Sequence, residues 1–339
     1  MRLVAVLLAG AIMFSAGLAN AQQTALKITW TDPDDPTTVA TAAEMRVLKS
    51  SLERFSGGKI VGELYPNGQL GDQKSMIQQV RRGTIGIANI ASGVLASLYS
   101  PKLGIVDLPF LFKSRAHLRR ALAIDDPLIK TLLDEVAKDS GIRVLSLTPY
   151  GFRYLTTSDK QVHEPRDMAG MKIRTMEVVP HQEMIKALGA SPVPIPYLEL
   201  YTSLQTGVVT GEENTPSNII QQKFYQVQKY LTETRHVMTV GAVIANEEWY
   251  QKLTPELRQA VIDAVREADL AHDGVGAIQD ELALEKLKTL GMTVYTPNPA
   301  QMAEFRSSVE KPVRAWATGQ WGKDFVDSFY LKLETAAQR

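Results

Sequence analysis

The sequence has no cysteine among its 339 residues. That excludes disulfide staples, thiolate zinc sites and cysteine nucleophiles. It has no surplus of either charge: 37 Lys and Arg stand against 37 Asp and Glu, a formal net charge of zero. A protein that neutralises nucleic-acid phosphates carries a basic excess, so no nucleic-acid partner is expected. Common catalytic signatures are missing too: no G-x-x-x-x-G-K-[ST] loop, no H-E-x-x-H and no G-x-S-x-G elbow occurs. Gly274-Val275-Gly276 opens like a dinucleotide fingerprint. However, Gln279 stands where a third small residue belongs and no strand precedes it, so it reads as a weak break inside a helical region. His117, His163, His181, His236 and His272 show no metal-ligand spacing and read as surface or locally bonded histidines. No metal or other cofactor is expected, and the sequence points away from an enzyme.

Only one long apolar run is present. Leu3 to Phe14, LVAVLLAGAIMF, follows the single charge of Arg2. It is shorter than the roughly 20 residues of a membrane span. Ala19-Asn20-Ala21 follows as an A-x-A cleavage site, the layout of a secretory signal peptide over residues 1–21. Cleavage after Ala21 would start the mature, exported chain at Gln22.

The rest is 45% hydrophobic and 22% charged over the whole chain, a globular composition long enough for two domains. Leu26 to Trp30 alternates as a strand, and Met45, Leu48, Leu52 and Phe55 recur at helical spacing. Lys59 to Tyr65 predicts a second strand, closed by the turn Pro66-Asn67-Gly68. Asp72 is placed to cap a helix bearing Met76, Ile77 and Val80 that ends at Gly83; Ile85 and Ile87 follow as a strand. The alternation restarts with strands at Ile142 to Thr148 and Met171 to Thr175 and a helix from about His181 to Leu188. Pro192, Pro194 and Pro196 mark a rigid extended segment, and Thr254-Pro255 starts a helix with Thr as N-cap. A further helical pattern runs from Ile278 to Leu290. This predicts an α/β protein with mainly parallel sheets and two lobes joined by several short crossings.

Several collinear blocks then resemble one family. They are Ser56-Gly57-Gly58-Lys59 through Tyr65-Pro66-Asn67-Gly68-Gln69-Leu70-Gly71, Val80 to Ile87, Asp107 to Phe112, Gly151-Phe152-Arg153 and Asp167 to Arg174. Leu188 to Pro192, Glu199 to Asn214 (ELYTSLQTGVVTGEEN) and Lys223 to Tyr230 complete the set. Together they resemble the TRAP-type (tripartite ATP-independent periplasmic) solute-binding proteins, in their DctP-like dicarboxylate-binding form. The resemblance implies two α/β domains around a ligand cleft, with domain I as residues 22–150 plus 240–279 and domain II as 151–239 plus 280–339. It also implies a periplasmic protein of a Gram-negative bacterium, a monomer, that delivers a small organic acid to a small and a large integral membrane subunit.

In that motif Arg174 is the family's main carboxylate-binding arginine, and a guanidinium suits the task because it offers two parallel donors. The resemblance gives Arg153 as a second arginine and Asn214 as the cleft asparagine. Tyr197 falls where an aromatic ring often covers the ligand. Thr31, Asp32, Ser92, Met176 and Glu177 complete the expected site. The acidic residues Asp32, Asp34, Asp35, Glu177, Glu212 and Glu213 would repel an anion unless they meet hydroxyls or an amine, which raises sugar acids, hydroxy or keto acids and amino-acid-like acids. The segment Asn214-Thr215-Pro216-Ser217-Asn218 instead resembles the C4-dicarboxylate branch, the first choice. An exported hydrolase or lyase using Glu177 or Asp32 as base stays open, as does a sensor docking on a membrane receptor.

Overall fold

The computed structural model describes residues 24–338; the expected cleavage site at Ala21 lies outside them. The chain starts with β1 (Thr24–Thr29), α1 (Ala40–Phe55), β2 (Ile60–Tyr65), α2 (Gln73–Arg81), β3 (Ile87–Ala91) and α3 (Ser92–Tyr99). Two further helices, α4 (Arg115–Ala121) and α5 (Pro127–Ser140), lead into the long strand β4 (Ile142–Thr157). The second stretch holds β5 (Lys172–Thr175), α6 (Val179–Ala187), β6 (Ser191–Pro194), α7 (Leu200–Gln205), β7 (Gly211–Asn214) and α8 (Pro216–Gln221). The long strand β8 (Tyr230–Asn246) then precedes α9 (Glu247–Lys252), α10 (Pro255–Thr289), β9 (Thr293–Tyr295), α11 (Pro299–Trp321) and α12 (Lys323–Gln338). Among the described residues no helix is long and apolar enough to cross a membrane.

The strands run in the order β2-β1-β3-β8-β4-β7-β5-β6, with β9 beside β8. β4 and β8 are antiparallel from Ile142↔Asn246 to Thr157↔Tyr230. At one end of this ladder β8 also pairs with β3, Ile87↔Ala245 to Ala91↔Gly241. At the other, β4 pairs with β7, Tyr154↔Asn214 to Thr157↔Gly211. Between the two ends the register shifts, at Pro149/Gly151 and Arg153/Leu155. The two long strands therefore serve two smaller sheets in turn, and the residues where they change neighbours are free to face a cleft.

Sheet polarity differs from the expectation. β1 with β2 and β3, β5 with β6 and β7, and β8 with β9 are parallel, but β3–β8, β4–β8 and β4–β7 are antiparallel. The sheet is mixed because its two longest strands cross both halves in opposite directions. β4 also continues nine residues past Thr148, where the predicted strand ended, through Pro149 and Gly151. Pro192 and Pro194 lie on β6, at the end of the strand order, where a missing N–H leaves no ladder bond unmade.

Local signals hold where a single side chain sets them. Asp72 Oδ1 accepts from the Ser75 amide at 2.7 Å, and Thr254 caps α10 ahead of Pro255. The break read at Gly274-Val275-Gly276 does not occur: α10 runs unbroken from Pro255 to Thr289. Gly276 is small for a packing reason, since a Cβ there would lie 2.8 Å from the Arg115 guanidinium. One apolar cluster joins β1 and α1 to α10 through Ile28, Trp30, Leu48 and Val261. Another joins α7 and α8 to the end of α10 through Leu200, Phe224 and Leu287. The largest packs α3, α5, α6 and α11 against β3, β4 and β8.

Candidate ligand-binding site

A cleft of about 600 Å³, open mouth included, lies where the long strands change neighbours. Arg174, on β5, is its most unusual wall group. Its side chain is 1% exposed, with Nε and Nη2 donating to the Ile195 carbonyl at 2.9 and 2.8 Å. Nη1 is buried and has no hydrogen-bond partner. Burial, and after it the neighbouring Arg153 charge, lowers the pKa of Arg174 from 12.5 to about 10. It stays a cation at neutral pH, with donors unused in a dry place.

Arg153 is different. Nε donates to Glu213 Oε2, and Nη2 to Glu213 Oε1 at 3.1 Å and to the Glu213 carbonyl. Nη1 donates to Thr239 Oγ1 at 3.1 Å and to Asn214 Oδ1 at 3.3 Å. All five guanidinium N–H groups are thus engaged by the protein. Burial pushes the Glu213 carboxyl up, but Arg153, with His181 and His236, outweighs it and holds the group well below the ordinary value. Glu212, on the opposite face of β7, accepts from Thr156 Oγ1 at 3.1 Å, and burial raises it to about 7.

Asn214 uses Oδ1 within the protein, accepting from the Thr215 amide at 3.0 Å and Asn218 Nδ2 at 3.1 Å, which leaves its Nδ2 donors for the cleft. Tyr197 contributes a buried hydroxyl with no hydrogen-bond partner and packs edge-on against Phe224, 6.3 Å between centroids. Asp32 is buried behind β1; Thr41 Oγ1 donates to its Oδ2 at 2.7 Å, and burial raises its pKa. Thr31 and Met176 line the same space. Glu177 lines it too, paired with Lys74 of α2 at 2.5 Å.

Eight of the nine expected residues therefore line one cleft. The exception is Ser92, which does not reach the wall: it is fully buried, and its hydroxyl donates to Asp107 Oδ2 at 3.2 Å. Several acidic residues also leave the picture. Asp34 pairs with Arg46 at 2.5 Å and Asp35 takes the hydroxyls of Thr37 and Thr38, while Glu213 is the counter-ion of Arg153.

Sequence reasoning missed Tyr150, Gln73, Asn218 and Thr239 on the wall. Gly241 is the one available signal for Tyr150: a Cβ there would fall 1.8 Å from the ring, so the tyrosine lies flat on a bare backbone. Four histidines read as bland are buried, His181, His236, His117 and His272; His117 Nε2 meets the Leu333 carbonyl at 2.9 Å and His272 stacks on the Tyr150 ring, neighbours that spacing does not reveal. Two of them stand behind Arg153: His236 Nε2 lies 3.1 Å from Glu213 Oε2 and His181 Nδ1 lies 3.5 Å from Glu213 Oε1. Among the described residues no group of His, Asp and Glu could hold a metal ion.

A chemistry of anion capture follows. A buried guanidinium with free donors, beside a neutralised ion pair and neutral hydroxyl and amide groups, is complementary to a carboxylate carrying further polar groups. The comparisons with known proteins agree. Residues 33–319 match the family model described as bacterial extracellular solute-binding protein, family 7. The 2,3-diketo-L-gulonate-binding periplasmic protein YiaO of Escherichia coli is 31% identical over 72% of this chain and 74% of its own. The C4-dicarboxylate-binding periplasmic protein DctP of Rhodobacter capsulatus is 29% identical, covering 77% of each chain. A TRAP periplasmic solute-binding protein from Polaromonas sp. JS666, bound to D-erythronate, superposes with TM-score 0.84 at 30% identity, over 91% of this chain and 98% of that one. The α/β architecture matches that two-lobed class, whose members are periplasmic and serve transport. The chain belongs to family 7 of the bacterial extracellular solute-binding proteins, the TRAP-type periplasmic binding proteins.

Proposed function

We propose that this protein is exported after cleavage at Ala21, captures a hydroxylated monocarboxylate in its cleft, and delivers it to the small and large membrane subunits of a TRAP transporter. Arg174 takes the carboxylate. Asn214 and Tyr197 take hydroxyls, with Asp32 as acceptor, and Thr31, Met176 and Glu177 shape the rest. Arg153 borders the cleft as a pre-neutralised wall. The observation that carries the ligand class is the contrast between the two cleft arginines: Arg174 Nη1 has no partner, whereas Arg153 is fully bound. A C4-dicarboxylate, the first choice of the sequence, would leave its second charge facing Asp32 and Glu177, or would have to take Lys74 from Glu177. Burying such a charge without a partner is costly. The erythronate and diketogulonate of the relatives carry one carboxylate and several oxygens, which supports the same class.

We propose the lobes as residues 22–150 plus 240–279 and 151–239 plus 280–339. The division is supported by the change of strand partners near Pro149 and Gly241, although α10 runs straight through the boundary at 279/280. Thermal-shift measurements across D-erythronate, D-galactonate, pantoate, succinate and L-malate test the ligand reading. The hydroxylated monocarboxylates should stabilise the protein by about 2.7 kcal/mol at a hundredfold excess over Kd. A larger shift with succinate than with every monocarboxylate would overturn the class, and turnover of any of these acids would overturn the binding role.

A further inference from the structure

Three buried polar atoms without a hydrogen-bond partner lie together: Asp107 Oδ1 and His181 Nε2, which face each other, and His181 Nδ1, which faces Glu213. His181 is the third residue of α6 and is completely buried. Its Nε2 lies 3.8 Å from Asp107 Oδ1 and its Nδ1 lies 3.5 Å from Glu213 Oε1. A neutral imidazole carries one N–H and one lone pair. Between two carboxylates it can satisfy only one, and its lone pair would oppose the other. Unsatisfied groups at this depth are rare because the low dielectric makes them costly.

We propose that Asp107 and His181 share one proton beyond that of a neutral imidazole, so that His181 bridges Asp107 and Glu213 and acts as a positioning residue for the Glu213–Arg153 pair behind the cleft. The proton count is the same whether the atom that holds it is Asp107 Oδ1 or His181 Nε2. Either way Nδ1–H points at Glu213 Oε1. Asp107 is built for this, since its other oxygen, Oδ2, already accepts from Ser92. Burial raises the Asp107 pKa from 3.8 to about 7 and lowers that of His181, and both directions favour Asp107 as the holder of the proton.

The surroundings leave few competitors. Arg153 approaches from β4, His236 from β8, Glu213 from β7 and Ser92 from α3, while Arg174 on β5 points into the cleft. On α6 itself, Glu183 and Lys186 pair with each other at the surface. The buried residues of α11, which packs against α6, are Phe305, Val309, Val313 and Ala317, none of them titratable. Glu213 thus receives Arg153, His236 and His181, and the shared proton is what lets His181 serve Glu213 and Asp107 at once.

The test needs no ligand, so its failure is separate from any failure of the transport reading. Nitrogen NMR of the histidine rings is recorded on the whole mature chain from pH 5 to 9, with His181 assigned through His181→Gln. In the native protein Nδ1 should stay protonated throughout, while Nε2 shifts with a midpoint near 7. Asp107→Asn supplies a permanent amide donor to Nε2, so this shift should vanish and the Arg153 Nε–H should stay slow to exchange. His181→Ala should lose that slow exchange. Titration of His181 as a free imidazole, unchanged in Asp107→Asn, would overturn the proposal. So would an Arg153 Nε–H equally protected in His181→Ala. If His181→Ala does not fold, the Asp107→Asn comparison decides by itself.

Discussion

Arg153 meets Glu213 at two points, Nε on Oε2 and Nη2 on Oε1, with both side chains sealed from water. The fold gives one cleft arginine its counter-ion and gives the other, Arg174, none. That asymmetry gives the two arginines opposite roles in stability and binding.

Arg153→Ala should cost about 3–5 kcal/mol of stability, because it strands a buried carboxylate. Replacing both partners, as Arg153→Met with Glu213→Leu, should recover most of that loss. Urea unfolding of the single and double variants measures the difference.

Arg174→Met should do the reverse. It removes a buried charge whose Nη1 has no partner, so the empty protein should unfold at the same urea concentration as the native one or a higher one. Binding of the best acid in the panel should be lost. Arg174→Lys keeps the charge but not the fork, and calorimetry should show affinity at least about tenfold weaker.

Glu212 gives a pH dependence with a definite sign. Its folded pKa, raised by burial to about 7, exceeds the ordinary 4.5. Between these values the folded state holds a proton that the unfolded chain releases. The stability it contributes is present below pH 4.5 and is lost as pH rises through about 7. The slope from this group is at most about 1.4 kcal/mol per pH unit. Glu212→Gln should remove it, seen as a flatter plot of unfolding midpoint against pH over that window.

Lys74 and Glu177, the latter on the cleft wall, pair at 2.5 Å but are partly exposed, 38% and 18%. Such a pair adds under about 1 kcal/mol to stability. Lys74→Ala should therefore leave the melting temperature nearly unchanged and speed release of bound acid in stopped-flow measurements, an effect that salt reproduces in the native protein.

Gly241→Ala tests how the wall is built. Its Cβ would lie 1.8 Å from the Tyr150 ring. The ring must move, at about 1–3 kcal/mol of overpacking cost, and binding should weaken with it.

Much of this site is legible in the sequence because short motifs place it. Arg174 belongs to a strand with its own apolar pattern, and Asn214 precedes a helix that Thr215 caps through the Asn218 amide at 3.3 Å. What could not be read are properties of pairs. Nothing in the spacing of Arg153 and Glu213 says that β4 and β7 lie side by side, so a charge read as ligand-facing is internally matched. The same holds for His181 and His236, ordinary residues until two strands, a helix and a turn bring carboxylates to them. Gly276 misled for a related reason: its missing side chain makes room for Arg115 rather than for a bend.

The most direct measurement is a crystal structure with the acid that stabilises the protein best. A carboxylate oxygen should lie about 2.7–2.9 Å from Arg174 Nη1, with Arg153 still on Glu213. An acid held elsewhere in the cleft, with Nη1 still unpartnered, would contradict it.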